Sequence, residues 1–207
     1  MRLSLPDTEL AVLVLPGGTD FSYRPFSPVQ PSALRMYPFT ASIQSVFGPR
    51  VRVRQVRYRV YGWNGGQASP MPYARNALEE LARDCPDVPI AVVGHSMGGR
   101  IAAQLGDDER VTDILALAPW WQFADWRAIH DEARVVAVHG DADTVTRHRR
   151  TAKGIAELSE RGLDATYIPV PGGRHPMLDH LGLWHGEALA FVAHALDRAR
   201  VSESVSR

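Results

Sequence analysis

The sequence has a single cysteine among 207 residues, Cys85. One thiol excludes an intrachain disulfide and any zinc site built on several thiolates. Placed between Asp84 and Pro86, it reads as a packed or surface thiol and not as a nucleophile. An excess of one charge is missing too. The 23 basic residues balance 23 acidic ones, so no global field draws in nucleic acid or an anionic membrane as a partner. No apolar run approaches the roughly 18 residues that a membrane span needs. The N-terminus offers one arginine and then Ser4, Pro6, Asp7, Thr8 and Glu9, and its first apolar run, Leu10 to Leu15, is too short for a signal-peptide core. A cytoplasmic setting is the default expectation. Internal repeats and low-complexity linkers are lacking, which leaves one domain over residues 1–200 and a serine-rich, frayed tail over 201–207.

Cofactor signatures are thin as well. The glycine pairs at 17–18 and 172–173 make neither a Gly-x-Gly-x-x-Gly nor a Walker lysine pattern. His175, His180 and His185, with Asp179 nearby, recur every five residues, a step that does not keep metal ligands on one helical face. No cofactor and no metal are expected. Arg147, His148, Arg149 and Arg150 form a basic patch that reads as a solvated helix face.

What is present is a recurring unit: a short apolar run, a loop, then a segment with helical periodicity. Leu10 to Leu15 ends at Pro16-Gly17-Gly18, as a buried strand meeting a turn does. Val51 to Tyr58 alternates, with Val51, Val53 and Val56 inward, and reads as a strand near the sheet edge. Further strands are expected over Pro89 to Val93, Ile114 to Ala118, Arg134 to Val138 and Asp164 to Val170. Helices are expected over Pro72 to Arg83, Met97 to Leu105, Arg147 to Arg161 and Gly186 to Arg200. Such alternation implies an α/β fold with a mostly parallel sheet of about six strands and helices on both faces. Right-handed crossovers then put every strand's C-terminal end on one rim, where ligands bind in open sheets. The segment from Thr19 to Gly48 holds four prolines and six aromatic rings. It reads as a structured loop with one short helix, either walling a pocket or covering core, because the rings need burial.

The pattern that carries chemistry is Gly94-His95-Ser96-Met97-Gly98, followed by Gly99. A sharp strand-to-helix turn projects the serine but brings strand and helix close together, so glycines at 94 and 98 remove colliding side chains. On this motif and its setting the chain resembles the α/β-hydrolase family. The family's order of serine, acid and histidine finds matches in two later loops. His139-Gly140-Asp141-Ala142-Asp143 resembles the acid loop, and Pro171-Gly172-Gly173-Arg174-His175 resembles the histidine loop. The resemblance runs roughly from Leu10 to Leu196. It implies Ser96 as nucleophile, His175 as base and Asp143 as acid, with an oxyanion hole made by the amides of Met97 and Gly18, or Thr19 in place of Gly18. Asp141 is the better loop-shaping residue, and Asp125 is the rival acid from the preceding loop. His139 is expected to pack in the acid loop and His95 beneath the elbow.

About a dozen residues separate the strand ending near Pro119 from the next, too few for a cap domain. Within them lie Trp120, Trp121 and Phe123, expected either to form an apolar wall for substrate or, for at least one tryptophan, to pack in the core. The resemblance implies a hydrolase of small-molecule carboxylic esters. A thioesterase is the close alternative, since the same residues serve either bond, and a binding protein that keeps the fold without catalysis is the other.

Overall fold

The computed structural model describes residues 8–205. The polar start over residues 1–7 and the last two residues, 206–207, lie outside the described part. Six strands, β1 (Leu10–Leu15), β2 (Val51–Gln55), β3 (Ile90–His95), β4 (Val111–Leu117), β5 (Arg134–Gly140) and β6 (Ala165–Val170), form one sheet in the order β2-β1-β3-β4-β5-β6. Every pairing is parallel. Strand β1 is buried along its whole length because both faces of the sheet are covered, which is why its sequence is apolar without alternation. The odd and even positions serve two separate cores. Leu13 and Leu15 face α3 (Met71–Asp84), α4 (Met97–Leu105) and α5 (His148–Glu160), packing in one cluster with Leu78, Ile101 and Leu158. Leu10, Val12 and Val14 pack with Phe39, Ile43, Trp184 and Phe191 of α2 (Tyr37–Phe47) and α6 (Leu181–Val205).

The segment after β1 departs from the single short helix expected. It carries α1 (Pro31–Leu34) and the three-turn α2. Pro31 and Pro38 each sit in the first turn of their helix, where the missing N–H has no partner to lose and the fixed φ suits the helix. Nor are all its rings buried: Phe21 and Tyr23 are exposed and meet edge to face at 5.3 Å. Helix α6 begins earlier than expected and continues through Val205, so the tail expected from residue 201 is helical as far as the described residues go. Strand β2 stops at Gln55, short of Tyr58, whose buried hydroxyl instead donates to the Pro16 carbonyl at 3.1 Å.

Between β4 and β5, residues 118–133 contain one short 3₁₀ turn, Asp125–Ala128, and no cap. The rim above the C-terminal strand ends is therefore left open. Among the described residues no helix is long and apolar enough to cross a membrane.

Candidate active site

Strand β3 and helix α4 meet at Ser96 with no intervening loop. The serine adopts φ 56° and ψ −117°, a left-handed conformation that costs a non-glycine residue about 1–3 kcal/mol and persists only where its surroundings enforce it. Here the enforcement is packing. A methyl group on Gly94 would lie 2.2 Å from the Gly98 carbonyl oxygen, and one on Gly98 would lie 2.0 Å from that of Leu15. Strand, turn and helix can touch only because both positions lack Cβ. The Ser96 amide donates to Leu117 of β4 at 3.0 Å, and its carbonyl accepts from the Trp120 amide at 3.0 Å. These bonds tie the elbow to the next strand and its loop.

The loops after β5 and β6 bring Asp143 and His175 to the same point. Ser96 Oγ–H donates to His175 Nε2 at 2.9 Å, and His175 Nδ1–H donates to Asp143 Oδ2 at 2.7 Å. A carboxylate can only accept, which fixes the imidazole tautomer and leaves Nε2 free to receive the serine proton. The Asp143 side chain is fully buried and collects five donors. Thr146 Oγ1 at 2.8 Å and His139 Nε2 at 3.1 Å join His175 on Oδ2, while the amides of Val145 and Thr146 reach Oδ1 at 2.7 and 2.9 Å. Burial alone would raise the Asp143 pKa. The bonds from His139, His175 and the Thr146 amide outweigh it and hold the carboxyl well below its usual range.

Two further histidines frame this chain of bonds. His139 accepts from the Thr151 hydroxyl at Nδ1, 2.8 Å away, and donates from Nε2 to Asp143. Burial holds its pKa below the ordinary imidazole value against the pull of the carboxylate, so it acts as a neutral donor. His95 lies beneath the elbow and donates from Nε2 to the backbone carbonyl of His175 at 3.0 Å. Its pKa is held well below the ordinary value, first by burial and then by the neighbouring His175 imidazole, which disfavours a second proton beside it, and by Arg35. Both pack where the sequence placed them.

The other candidates separate cleanly. Asp141 Oδ1 accepts the Gly172 amide at 2.7 Å and shapes the loop pair. Asp125 is turned away from His175: it is buried against Arg100 at 2.7 Å and also accepts from Gln104 and the Phe123 amide. Thr19 is removed as an oxyanion donor, because its amide donates to the Tyr61 carbonyl at 3.2 Å. No backbone hydrogen bond engages the amides of Gly18 or Met97 among the described residues. His185 stacks on Phe39 at 4.0 Å, and no cluster of three metal-ligating side chains occurs among the described residues.

Of the expected wall, Trp121 is the tryptophan packed mainly in the core, with one edge on the small cavity described below. Its ring belongs to the core, where Nε1–H donates to the Gly99 carbonyl at 2.9 Å and the indole fills space left by Gly154. Trp120 and Phe123 flank the Arg100 guanidinium at 4.9 and 5.0 Å, and Trp63 covers it at 4.0 Å. Arg100 follows Ser96 by one helical turn, so this aromatic box is anchored to the nucleophile helix. Next to Thr146 lies a cavity of only about 150 Å³, lined by Trp120, Trp121, Gln122, Val145, Thr146 and Arg147 among others.

Residues 71–198 match the model of the alpha/beta hydrolase family. The chain belongs to that family. Solved structures agree on the fold of this alpha/beta hydrolase. An a/b serine hydrolase without lid from Xanthomonas campestris superposes with a TM-score of 0.69 at 15% identity, covering 90% of this chain and 82% of its own. MGS-M1, an alpha/beta hydrolase from a Medee basin deep-sea metagenome library, gives 0.71 at 18%, covering 95% and 88%. An acetyl ester-xyloside bifunctional hydrolase from Caldicellulosiruptor lactoaceticus gives 0.70 at 16%, covering 91% and 84%. No curated protein sequence matches the chain.

Sequence reasoning overlooked Thr146, Arg100 and Trp63. Thr146 carried a signal, since it falls in the acid loop and can cap Asp143 three residues back. Arg100 carried one too: a cation four residues after the serine, on a helix that glycines press into the core, needs a buried partner. Trp63 comes from a loop far away in sequence and had none.

Proposed function

We propose that this alpha/beta hydrolase is a serine esterase acting on small carboxylic esters through an acyl-enzyme, with Ser96 as nucleophile, His175 as general base and acid, and Asp143 as its orienting carboxylate. The observation that carries the reading is the pair of bonds from Ser96 Oγ to His175 Nε2 and from His175 Nδ1 to Asp143 Oδ2, at 2.9 and 2.7 Å. As Ser96 attacks the carbonyl carbon, His175 takes its proton and becomes an imidazolium facing the buried Asp143 charge. The same proton then passes to the leaving alcohol, and a water activated by His175 releases the acid. His139, Thr146 and two amides already hold Asp143 as a carboxylate, so it meets the new cation without rearranging.

Negative charge growing on the carbonyl oxygen needs donors. We assign the Met97 amide, at the start of α4, and the Gly18 amide to that role. A methyl group at Gly18 would lie 2.4 Å from Met97 Cε and from the Tyr61 carbonyl oxygen, so the turn after β1 lies directly against the elbow. We assign Trp120 and the edge of Trp121, in the small cavity, and Phe123, in the groove beside it, as the substrate-facing aromatics. With no cap between β4 and β5, the site suits short or medium esters presented from solution.

A panel of aryl esters of graded acyl length, run on the wild type and on Ser96→Ala, tests the reading. Turnover of the short members, abolished in Ser96→Ala, is expected. Turnover that survives in Ser96→Ala, or none in the wild type on any member, rejects it.

A further inference from the structure

The basic patch singled out in the sequence does not merely face solvent. Arg147 and Arg150 line the small cavity beside Thr146, and together with Gln122 they also line a second groove of about 550 Å³ that adds Arg127, Arg149 and Lys153. Sharing Gln122, Arg147 and Arg150, the two depressions adjoin along one basic channel. Its inner end is Thr146, whose hydroxyl lies 2.8 Å from Asp143 Oδ2 and 3.2 Å from His175 Nδ1.

The charge balance along this channel is lopsided in a chain whose overall charge is zero. One carboxylate lines it, Glu157, and it is already engaged by the Trp126 indole at 2.8 Å, by Arg127 at 3.3 Å and by Lys153 at 3.7 Å. The Arg147 and Arg149 side chains are exposed and make no hydrogen bond or ion pair among the described residues. Arg150 donates to the Gln122 carbonyl and has no carboxylate partner among the described residues.

The position of these arginines is costly for the fold. Arg147 caps α5, and Arg149 and Arg150 lie in its first turn, which contains no acidic residue. Cations there oppose the helix macrodipole, whose positive end favours anions. Three guanidiniums and a helix N-terminus directed at one channel therefore make an arrangement that a multiply charged anion relieves. Phosphate carries more than one charge and presents oxygens to the forked donors of arginine.

Trp120 joins this groove to the nucleophile, since it lines the inner cavity and its amide donates to the Ser96 carbonyl at 3.0 Å. A substrate carbonyl at Ser96 Oγ carries two arms, acyl and leaving group. We propose that the leaving group of the natural substrate carries phosphate, and that the channel from Thr146 to Lys153 binds it. This rests on the Ser96 reading above and names its substrate class. Ser96 Oγ would attack the acyl carbon and break its bond to the sulfur or oxygen of a phosphate-bearing thiol or alcohol. His175 would return the proton to that atom, and water would then hydrolyse the acyl-serine to free acid and serine.

Calorimetric titration of two phosphate-bearing products against their phosphate-free counterparts tests this without requiring turnover. Coenzyme A is compared with pantetheine, and glycerol 3-phosphate with glycerol, on the wild type, on Arg147→Gln/Arg149→Gln and on Arg83→Gln, an exposed arginine of α3 far from the channel. Both channel arginines lack partners, so the double variant should fold. At low salt the wild type and Arg83→Gln are expected to bind at least one phosphate-bearing probe about tenfold or more tightly than its counterpart. The double variant should lose most of that preference, and 0.5 M salt should weaken it in all three. Preference for coenzyme A points to a thioester substrate, and preference for glycerol 3-phosphate to a phosphorylated alcohol ester. Equal binding of each pair in the wild type, or a preference untouched in the double variant, overturns the proposal. Labelling of Ser96 by a fluorophosphonate in the same samples separates the two claims, because loss of labelling with retained phosphate binding removes the esterase reading and leaves the channel.

Discussion

Asp143 is surrounded by more donors than orientation of one imidazole demands. His175 and Thr146 bind Oδ2 at 2.7 and 2.8 Å, and neutral His139 adds a third bond there. On the proposed mechanism Asp143→Asn offers an amide where an acceptor is needed, favouring the wrong tautomer of His175, and kcat should fall by about three to four orders of magnitude. Asp125→Asn should leave the triad's bonds in place and instead weaken the buried pair with Arg100. Breaking such a pair costs about 3–5 kcal/mol, visible as a lowered urea midpoint. Steady-state kinetics and urea unfolding on the two variants distinguish these roles, and a larger kcat loss in Asp125→Asn would move the acid to the other loop. The two framing histidines have a pH signature. Burial keeps His95 and His139 below the ordinary imidazole pKa, so unfolding lets each take up a proton once the pH drops below about 6.5. Stability is therefore complete above that pH and falls as the pH drops toward the folded-state values, by at most about 1.4 kcal/mol per pH unit for each histidine. Urea unfolding between pH 7.5 and 5.5 should show a shallower decline in His95→Gln than in the wild type, and an identical slope would show that His95 does not titrate between the two states.

At the scale of elements, the elbow depends on backbone contact between β1, β3 and α4. Gly98→Ala would push a methyl group into the Leu15 carbonyl, 2.0 Å away. A cost of about 1–3 kcal/mol is expected from overpacking, with loss of the proposed esterase activity as Ser96 shifts. Circular dichroism melts with activity measured alongside check both, and an alanine variant of wild-type stability and rate would mean that strand and helix are less tightly joined. The same tight joining explains what could be read in advance. Strand β1 and helix α4 lie on the expected residues because Pro16-Gly17-Gly18 and the Ser96 elbow punctuate the chain sharply. Asp143 and His175 were legible for a related reason: each falls in a loop just past an apolar strand, and parallel strands deliver their ends to one rim. Helix α2 was obscured by prolines that mark helix starts as readily as loops. Which tryptophan joins the core was left open, because one beside a rim and one beneath it look alike in sequence. Only the packing against Gly99 and Gly154 decides between them.

The whole molecule is a parallel sheet with one open rim and no cap. An uncovered site has no lid to displace, so hydrolysis of a soluble short ester should follow simple saturation, with no jump in rate when the substrate passes its solubility limit. A rate that rises steeply at that limit would point to a covering element that opens. Arg100 and its aromatic box, together with the arginine channel, lie on the side of this rim bounded by the β4–β5 loop and α5, so the rim is chemically uneven. The proposed catalysis depends on Ser96 being a nucleophile activated by His175. Reaction with a fluorophosphonate probe followed by peptide mass mapping tests this most directly. The account predicts a single adduct on Ser96 in the wild type, no adduct in Ser96→Ala and strongly slowed labelling in His175→Ala. An adduct elsewhere, or labelling of Ser96 at the same rate without His175, would contradict it.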